Sequence, residues 1–315
     1  MFSTAFSRVR LRFAPLAALA LGAPGCRKAA SGAHDSTASR VSIASTDDFG
    51  DTIPSGRRPQ RIVSLNPTTT ELLFALGAGD RVVGRTHWDA YPAEARGVPD
   101  LGPGIRPNVE AVLGAHPDLV LLYASADNRA AASALRNAGV PVVALKVDRI
   151  ADFLRCVRLV GAAIGERARA DTVADSVSKS LDRVRAVTAS VARPRVLWPL
   201  LDEPLYVIGG GSFMSELLDA AGGRNVFGDM PQPSPQVGRE EVLRRDADVV
   251  IAAPHAVQRM LSDPAWRGLT AVRARRVFSD DSSLVERPSV RLGEAARSIA
   301  LLLHPELRDR LAAAH

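Results

Sequence analysis

"ELLFALGA" at residues 71–78 returns as "ELLDAAGG" at residues 216–223, 145 positions later. A second motif returns in the same order: Glu110, Val112, Leu113, Asp118 and Val120 are matched in spacing by Glu240, Val242, Leu243, Asp248 and Val250. A single helix pattern recurs by chance. Two ordered motifs, each on a strand-helix unit, predict a chain built from two related lobes.

Around the first copy, short β-branched runs alternate with helical patterns: "RIVSL" (61–65), a helix near Thr68–Leu76, "RVVGR" (81–85), a helix near Asn108–Ala115, "DLVLLY" (118–123), a helix near Asp127–Ala138 and "VPVVALK" (140–146). From Arg195 the alternation restarts with "RVLWPL", "LYVIGG", a helix near Ser212–Ala221, a helix near Arg239–Arg245, "DVVIAA", "RRVFS" and a last helix from about Pro288 to Leu303. The pattern predicts βαβ units on parallel sheets, hence an α/β fold with two Rossmann-like lobes. Between them, Ile150–Ala189 is almost free of strand signals, and Val173, Val177, Leu181, Val184 and Val187 follow helical spacing on a stretch without Gly or Pro from Glu166 to Arg193. About 24 residues of helix span about 36 Å, enough to brace both lobes and leave little hinge.

The two ends carry different signals. Arg8, Arg10 and Arg12 precede an apolar run from Phe13 to Ala23 that is too short to cross a bilayer, so residues 1–25 are expected to be a signal peptide. Its removal takes three arginines and no acid, which lowers the formal charge of +6 to +3 and leaves little electrostatic case for nucleic acid. The predicted organisation is a signal peptide (1–25), a tether with a lead-in strand (26–56), an N-terminal lobe (57–149), linking helices (150–192) and a C-terminal lobe (193–315). The chain has only two cysteines, Cys26 and Cys156, so the exported protein is expected to hold together by packing.

The motifs "RIVSLNPTTTELLFALGAGDRVVG" (61–84), "YP" (91–92), "PNVEAVLGAHPDLVLL" (107–122), "PQVGREEVL" (235–243) and "ERPSVR" (286–291), in this order, resemble the periplasmic substrate-binding proteins of ABC importers for vitamin B12, iron siderophores and haem. The resemblance runs from about Asp47 to the C-terminus and implies a class III architecture, two lobes joined by a long rigid backbone helix. It implies no enzymatic activity, no resident cofactor or metal, a monomer, and as partners an ABC permease with its ATPase and a small-molecule ligand. Glu110 and Glu240 match the family's permease-docking glutamates, and the internal repeat independently pairs them. The plain alternative for each is an acid favoured by the helix dipole of a first turn. "APGC" resembles a lipobox, which implies a periplasmic location with a lipid anchor at Cys26; simple secretion is the alternative.

Ligands in open α/β sheets lie at the carboxyl ends of strands. By that rule Trp88, Tyr91, Tyr123 and Phe213 are candidate apolar walls and Arg106, Asp281 and Arg287 candidate polar contacts; for each aromatic the plain alternative is core packing. Tyr91, Asp280 or Asp281, and Arg287 resemble the vitamin B12 binders, but Ser234 and the loop "GPGI" stand where those proteins carry tryptophans, and Pro103 stands where haem binders carry a tyrosine. A corrinoid is therefore the first expected ligand and a ferric siderophore the alternative, the latter facing Arg106, Arg287 and Arg291. Rival classes find less support. "GGGSF" (209–213) forms neither a nucleophile elbow nor a P-loop. The six histidines lack metal-ligand spacing, and "RARR" (273–276) reads as a solvated edge. A two-lobed chelatase-like enzyme is the remaining alternative on fold, set against by the export signal.

Overall fold

The computed structural model describes residues 46–313 apart from 55, 57 and 281. The expected signal peptide, the Val41–Ala44 strand and Cys26 lie outside these residues. The first lobe runs β1 (Ile62–Leu65), α1 (Pro67–Ala75), β2 (Val82–Gly84), α2 (Val109–Gly114), β3 (Leu119–Tyr123), α3 (Arg129–Asn137) and β4 (Val142–Leu145). Its four strands are parallel in the order β2-β1-β3-β4. All four residues of β1 and of β4 are buried, the continuous apolar run expected of a sheet covered on both faces.

Two linking helices follow, α4 (Ile150–Ile164) and α5 (Arg167–Thr188). The second lobe contains β5 (Arg195–Leu197), a β6 (Pro199–Asp202) and β7 (Leu205–Val207) hairpin, α6 (Phe213–Ala220), β8 (Arg224–Asn225), α7 (Arg239–Arg245), β9 (Val249–Ala252), α8 (Pro254–Ser262), α9 (Thr270–Arg273), β10 (Val277–Ser279), α10 (Ser282–Val285), α11 (Leu292–Leu303) and α12 (Arg308–Ala313). Its parallel sheet has the order β10-β9-β5-β8. With β1, β2, β3 and β4 matched to β5, β8, β9 and β10, both sheets have one topology. "LYVIGG", expected as a strand of that sheet, instead pairs antiparallel with β6 outside it. The helix expected from about Pro288 starts at Leu292, because Ser289 first forms a turn in which its hydroxyl accepts from the Arg291 amide at 3.1 Å, and it is followed by α12 rather than being the last.

The sequence repeat persists down to single hydrogen bonds. Gly77 and Gly222 both lie at positive φ, 73° and 79°, where they end α1 and α6. The Ala78 and Gly223 amides then donate back to the Leu73 and Leu218 carbonyls at 2.8 and 2.9 Å, the same helix stop in each lobe. Asp118 and Asp248 likewise accept from the backbone amides of Arg61 and Arg195, the residues that lead into the first strand of each lobe. Those two arginines reach the carbonyls at the ends of α2 and α7, Ala115 and Arg245. His116 and Asp246, next in the chain, share a φ near +50°.

Alternation within the strands divides the core. Ile62, Leu119, Leu121, Val143 and Leu145 face one apolar cluster that also holds Val177 and Leu181 of α5, Leu217 of α6 and Ile299 of α11, whereas Val63, Leu65, Val120 and Leu122 face α2 and α3. Val249 and Ile251 join the shared cluster while Val250 and Ala252 face the outer side of the second lobe. The linking helices are therefore core elements of both lobes, and lobes and linkers form one compact unit. Close approach is secured by Gly161, where an added Cβ would lie 2.3 Å from the Ala170 Cβ, so α4 and α5 pack backbone to backbone. The end of the stretch read as a tether is docked: the Asp47 carboxylate accepts from the Ala144 amide and Asp48 donates to the Ala144 carbonyl, both at 2.9 Å, along the free edge of β4.

The "GGG" run has a packing cause. Cβ atoms on Gly209, Gly210 and Gly211 would meet the carbonyl oxygens of Gln232, Gly228 and Pro231 at 2.0, 2.2 and 2.1 Å. Gly210→Ala is expected to destabilise the fold by about 1–3 kcal/mol in urea unfolding, as overpacking does; an unchanged midpoint would remove this explanation. Cys156 on α4 is fully buried and its thiol is pushed up to about 12. The unfolded thiol ionises near about pH 8.5, so the folded state binds the proton more tightly and stability falls as pH rises above that value, by up to about 1.4 kcal/mol per unit. Relative to Cys156→Ala, the wild type should lose stability more steeply between about pH 9 and 11, and parallel curves would refute the assignment.

Candidate functional site

Leu65, Asn66, Thr86, Trp88 and Tyr123, with Pro67, Pro103, Gly104 and Ile105, line a hollow of about 220 Å³ at the carboxyl ends of β1, β2 and β3. Local chemistry sets this wall. Asn66 caps α1 by accepting from the Thr68 amide at 3.0 Å, with Pro67 in the first turn. Gly104 lets the next loop close on β1, since a Cβ there would lie 2.2 Å from the Leu65 carbonyl oxygen. Ile105 and Trp88 are left exposed, at 44% and 60%, although both belong to apolar residue types.

The Trp88–Tyr91 loop hangs on a buried carboxylate that sequence reasoning missed. Asp89, 2% exposed, accepts from the Thr70 hydroxyl at 2.5 Å and the Thr86 hydroxyl at 2.6 Å. Burial holds its carboxyl above the usual range, against the pull of those bonds. The "TTT" run of α1 is thus partly a clip for this loop.

A second hollow of about 390 Å³, lined by residues of both lobes, is formed by Val147, Asp148, Leu200, Ser212, Phe213, Met214, Pro233, Ser234 and Glu286. Phe213 is largely buried, and its amide donates to the Asp148 carbonyl at 2.6 Å, so the lobes touch at the start of α6. Above the cleft the "ERPSVR" segment crosses from the second lobe to the first. Arg287 donates to the Trp88 carbonyl at 3.0 Å. Arg291 donates from Nε to Glu71 at 3.2 Å, and its guanidinium lies 3.9 Å from the centre of the Tyr91 ring. Burial raises the Glu71 carboxyl above the usual range, while Arg291 and Ser289 pull it down.

Trp88, Tyr123 and Phe213 therefore line the two hollows, and Tyr91 and Arg287 lie on the bridge between the lobes. Arg106 sits at positive φ with its side chain 78% exposed and paired to Asp127 at 2.6 Å. Asp281 lies outside the described residues. Its neighbour Asp280 accepts from the indole of the buried Trp198 at 3.0 Å. Glu110 and Glu240 occupy the second positions of α2 and α7, both exposed. Neither has an ion pair among the described residues, in contrast to Glu241, which Arg244 and Arg245 engage at 2.6 and 2.7 Å. A larger cavity, about 710 Å³, opens beside Arg193, Arg195, Arg224 and Arg245. It lies at the strand-entry end of β5, away from the lobe interface, and Arg193 and Arg245 are already paired with Asp219 and Asp229. The cleft is the candidate site. Glu71, the residue most closely tied to it that was not singled out, stands at the head of the repeated octapeptide and could have been found there.

The chain matches the periplasmic binding protein family over residues 62–284. It is 30% identical over 242 residues to the vitamin B12-binding protein of Salmonella typhimurium, covering 76% of this chain and 88% of that one. It is 28% identical over 258 residues to the uncharacterized ABC transporter substrate-binding lipoprotein YvrC of Bacillus subtilis, covering 79% and 82%. Among solved structures, the periplasmic heme-binding protein RhuT from Roseiflexus sp. RS-1 superposes with a TM-score of 0.71 at 26% identity, over 81% of this chain and 99% of that one. With the two-lobed parallel architecture, these matches make the chain a member of the periplasmic binding protein family, the substrate-binding components of ABC importers.

Proposed function

We propose that the protein captures a corrinoid in the interlobe cleft and delivers it to the permease of an ABC importer. What supports this ligand over an anionic one is the prior engagement of the cleft's arginines: Arg106 pairs with Asp127, Arg291 with Glu71, and Arg287 is committed to the Trp88 carbonyl. The walls themselves offer mainly apolar surface, and the Asp148 carboxylate among them is paired with Lys146 at 2.7 Å. Such a lining suits a ligand without net negative charge that combines a large apolar ring with peripheral amides. Ile105, Pro103 and Trp88 then supply the surface that absent tryptophans supply in similar proteins, and two vitamin B12-binding relatives are 29% and 30% identical to this chain. One observation favours a ferric siderophore as the second reading. The Arg106–Asp127 pair is exposed, worth little in water, and an anionic chelate can exchange with Asp127.

Glu110 and Glu240 are the proposed docking charges, carried on the lobes that the shared core joins and without an ion pair among the described residues. The proposed location is the periplasm, with Cys26 as lipid anchor and the protein a monomer. Its family is one of transport proteins rather than enzymes.

Titration of the purified protein with cyanocobalamin, ferric siderophores and haemin decides the ligand. Micromolar or tighter binding to cobalamin is expected, weakened about tenfold by Trp88→Ala or Tyr91→Ala; binding of a ferric chelate alone would overturn the corrinoid assignment. In a vesicle uptake assay with the cognate permease, Glu110→Ala combined with Glu240→Ala should abolish transport while ligand affinity stays within about twofold. Loss of ligand binding in that variant would contradict the docking role.

A further inference from the structure

The glutamates that head the repeated octapeptide occupy equivalent places, yet each leaves its own lobe. Glu71, on α1 of the first lobe, is 6% exposed and accepts from Arg291 at the start of α11 in the second lobe. Glu216, on α6 of the second lobe, accepts from the Arg149 side chain at 2.7 Å and the Ile150 amide at 2.6 Å, where the chain leaves the first lobe to begin α4. The two ties run in opposite directions from the same repeat position. Core packing does not account for them, because Leu72, Leu73, Leu217 and Leu218 already fill the shared core at 0% exposure. A carboxylate beside that core is unfavourable unless paired, and a paired one adds orientation more than stability.

We propose that Glu71 and Glu216 are a reciprocal pair of interlobe ties that set the lobe angle, and that Glu71 acts through Arg291 as a positioning residue for Tyr91 on the cleft. The mechanism is geometric. The Glu71 carboxylate fixes the Arg291 guanidinium, whose other end donates to the Ser283 carbonyl at 3.2 Å, and the fixed cation holds the Tyr91 ring 3.9 Å away. Tyr91 is 45% exposed, and the Arg291 guanidinium over its ring is the contact that would orient it. On the other side, Glu216 locks the first turn of α4 and with it the direction in which the linking helices leave the first lobe. The inference goes beyond the ligand assignment and does not depend on it.

Two measurements on the ligand-free full chain test it. Nitroxides carried on non-natural amino acids at the exposed Ser133 of α3 and Ser262 of α8 leave Cys26 and Cys156 untouched and report the interlobe distance. A single narrow distribution is expected for the wild type, broadened about twofold in the isosteric Glu71→Gln, Glu216→Gln double variant; an unchanged width there would overturn the ties. Tyrosine-ring NMR gives three signals, from Tyr91, Tyr123 and Tyr206, with Tyr91 identified through Tyr91→Phe. Arg291→Met and Glu71→Gln should both move the Tyr91 signal, leave Tyr206 in place, and be partly reversed in Arg291→Lys. A Tyr91 signal that stays put in both variants would overturn the positioning role. Failure of cobalamin to bind would strike the ligand assignment alone.

Discussion

The packing of α4 against α1 and of α5 against α4, α6 and α11 through one continuous apolar cluster is the constraint on which the rest depends. Ala174, Val177, Leu181 and Val184 present a helical stripe to the cluster that also holds Leu72 and Leu76 from one lobe and Leu217, Ala295 and Ile299 from the other, with α4 packed between α1 and α5. A helix of 22 residues is about 33 Å long, so the two sheets are held by a shared core instead of a flexible connection. The carboxyl ends of the strands then border a cleft that this core keeps from opening widely, within which the Glu71 and Glu216 ties act on the lobe angle. The cleft residues ride on that core, and so do the exposed glutamates at the starts of α2 and α7.

Most of the scaffold was readable in the chain because its signals are local. Buried parallel strands read as "RIVSL" and "DLVLLY", the bracing helix reads as an apolar stripe uninterrupted by Gly or Pro, and the duplication reads as two ordered motifs. What escaped reading was long-range. "LYVIGG" has the composition of a central strand, and only the neighbouring Pro199–Asp202 strand turns it into a hairpin. Pro288 suits a helix start, yet the Ser289 turn delays the helix to Leu292.

The cleft shows the same division. Trp88, Tyr123 and Phe213 follow from the rule of strand ends. The state of the arginines does not, because Arg291 finds Glu71 across 220 residues and Arg287 finds a backbone carbonyl that no side-chain pattern encodes. An arginine counted along a sequence is a charge available to a ligand, whereas an arginine in a folded cleft is available only if its own protein has not already claimed it. For this chain that distinction lowers the cationic character that composition suggests for the candidate cleft, since Arg106 and Arg291 are paired with Asp127 and Glu71. Asp89 is a similar case, since nothing in "THWDAY" reveals that its carboxylate is buried under two threonine hydroxyls.

The segment docked along β4 has a consequence for the solubility of the protein. β4 is the outermost strand of the first sheet, and a buried, β-branched edge with free amides and carbonyls is a template for joining another chain. Asp47 and Asp48 occupy the Ala144 amide and carbonyl, and Asp48 also takes the Lys146 amide, so that edge is filled, and Arg136 and Arg155 hold the two carboxylates in place. A protein with this edge uncovered would be prone to sheet-to-sheet aggregation. A few residues that belong to neither lobe's repeat thereby keep the first lobe from becoming a seed.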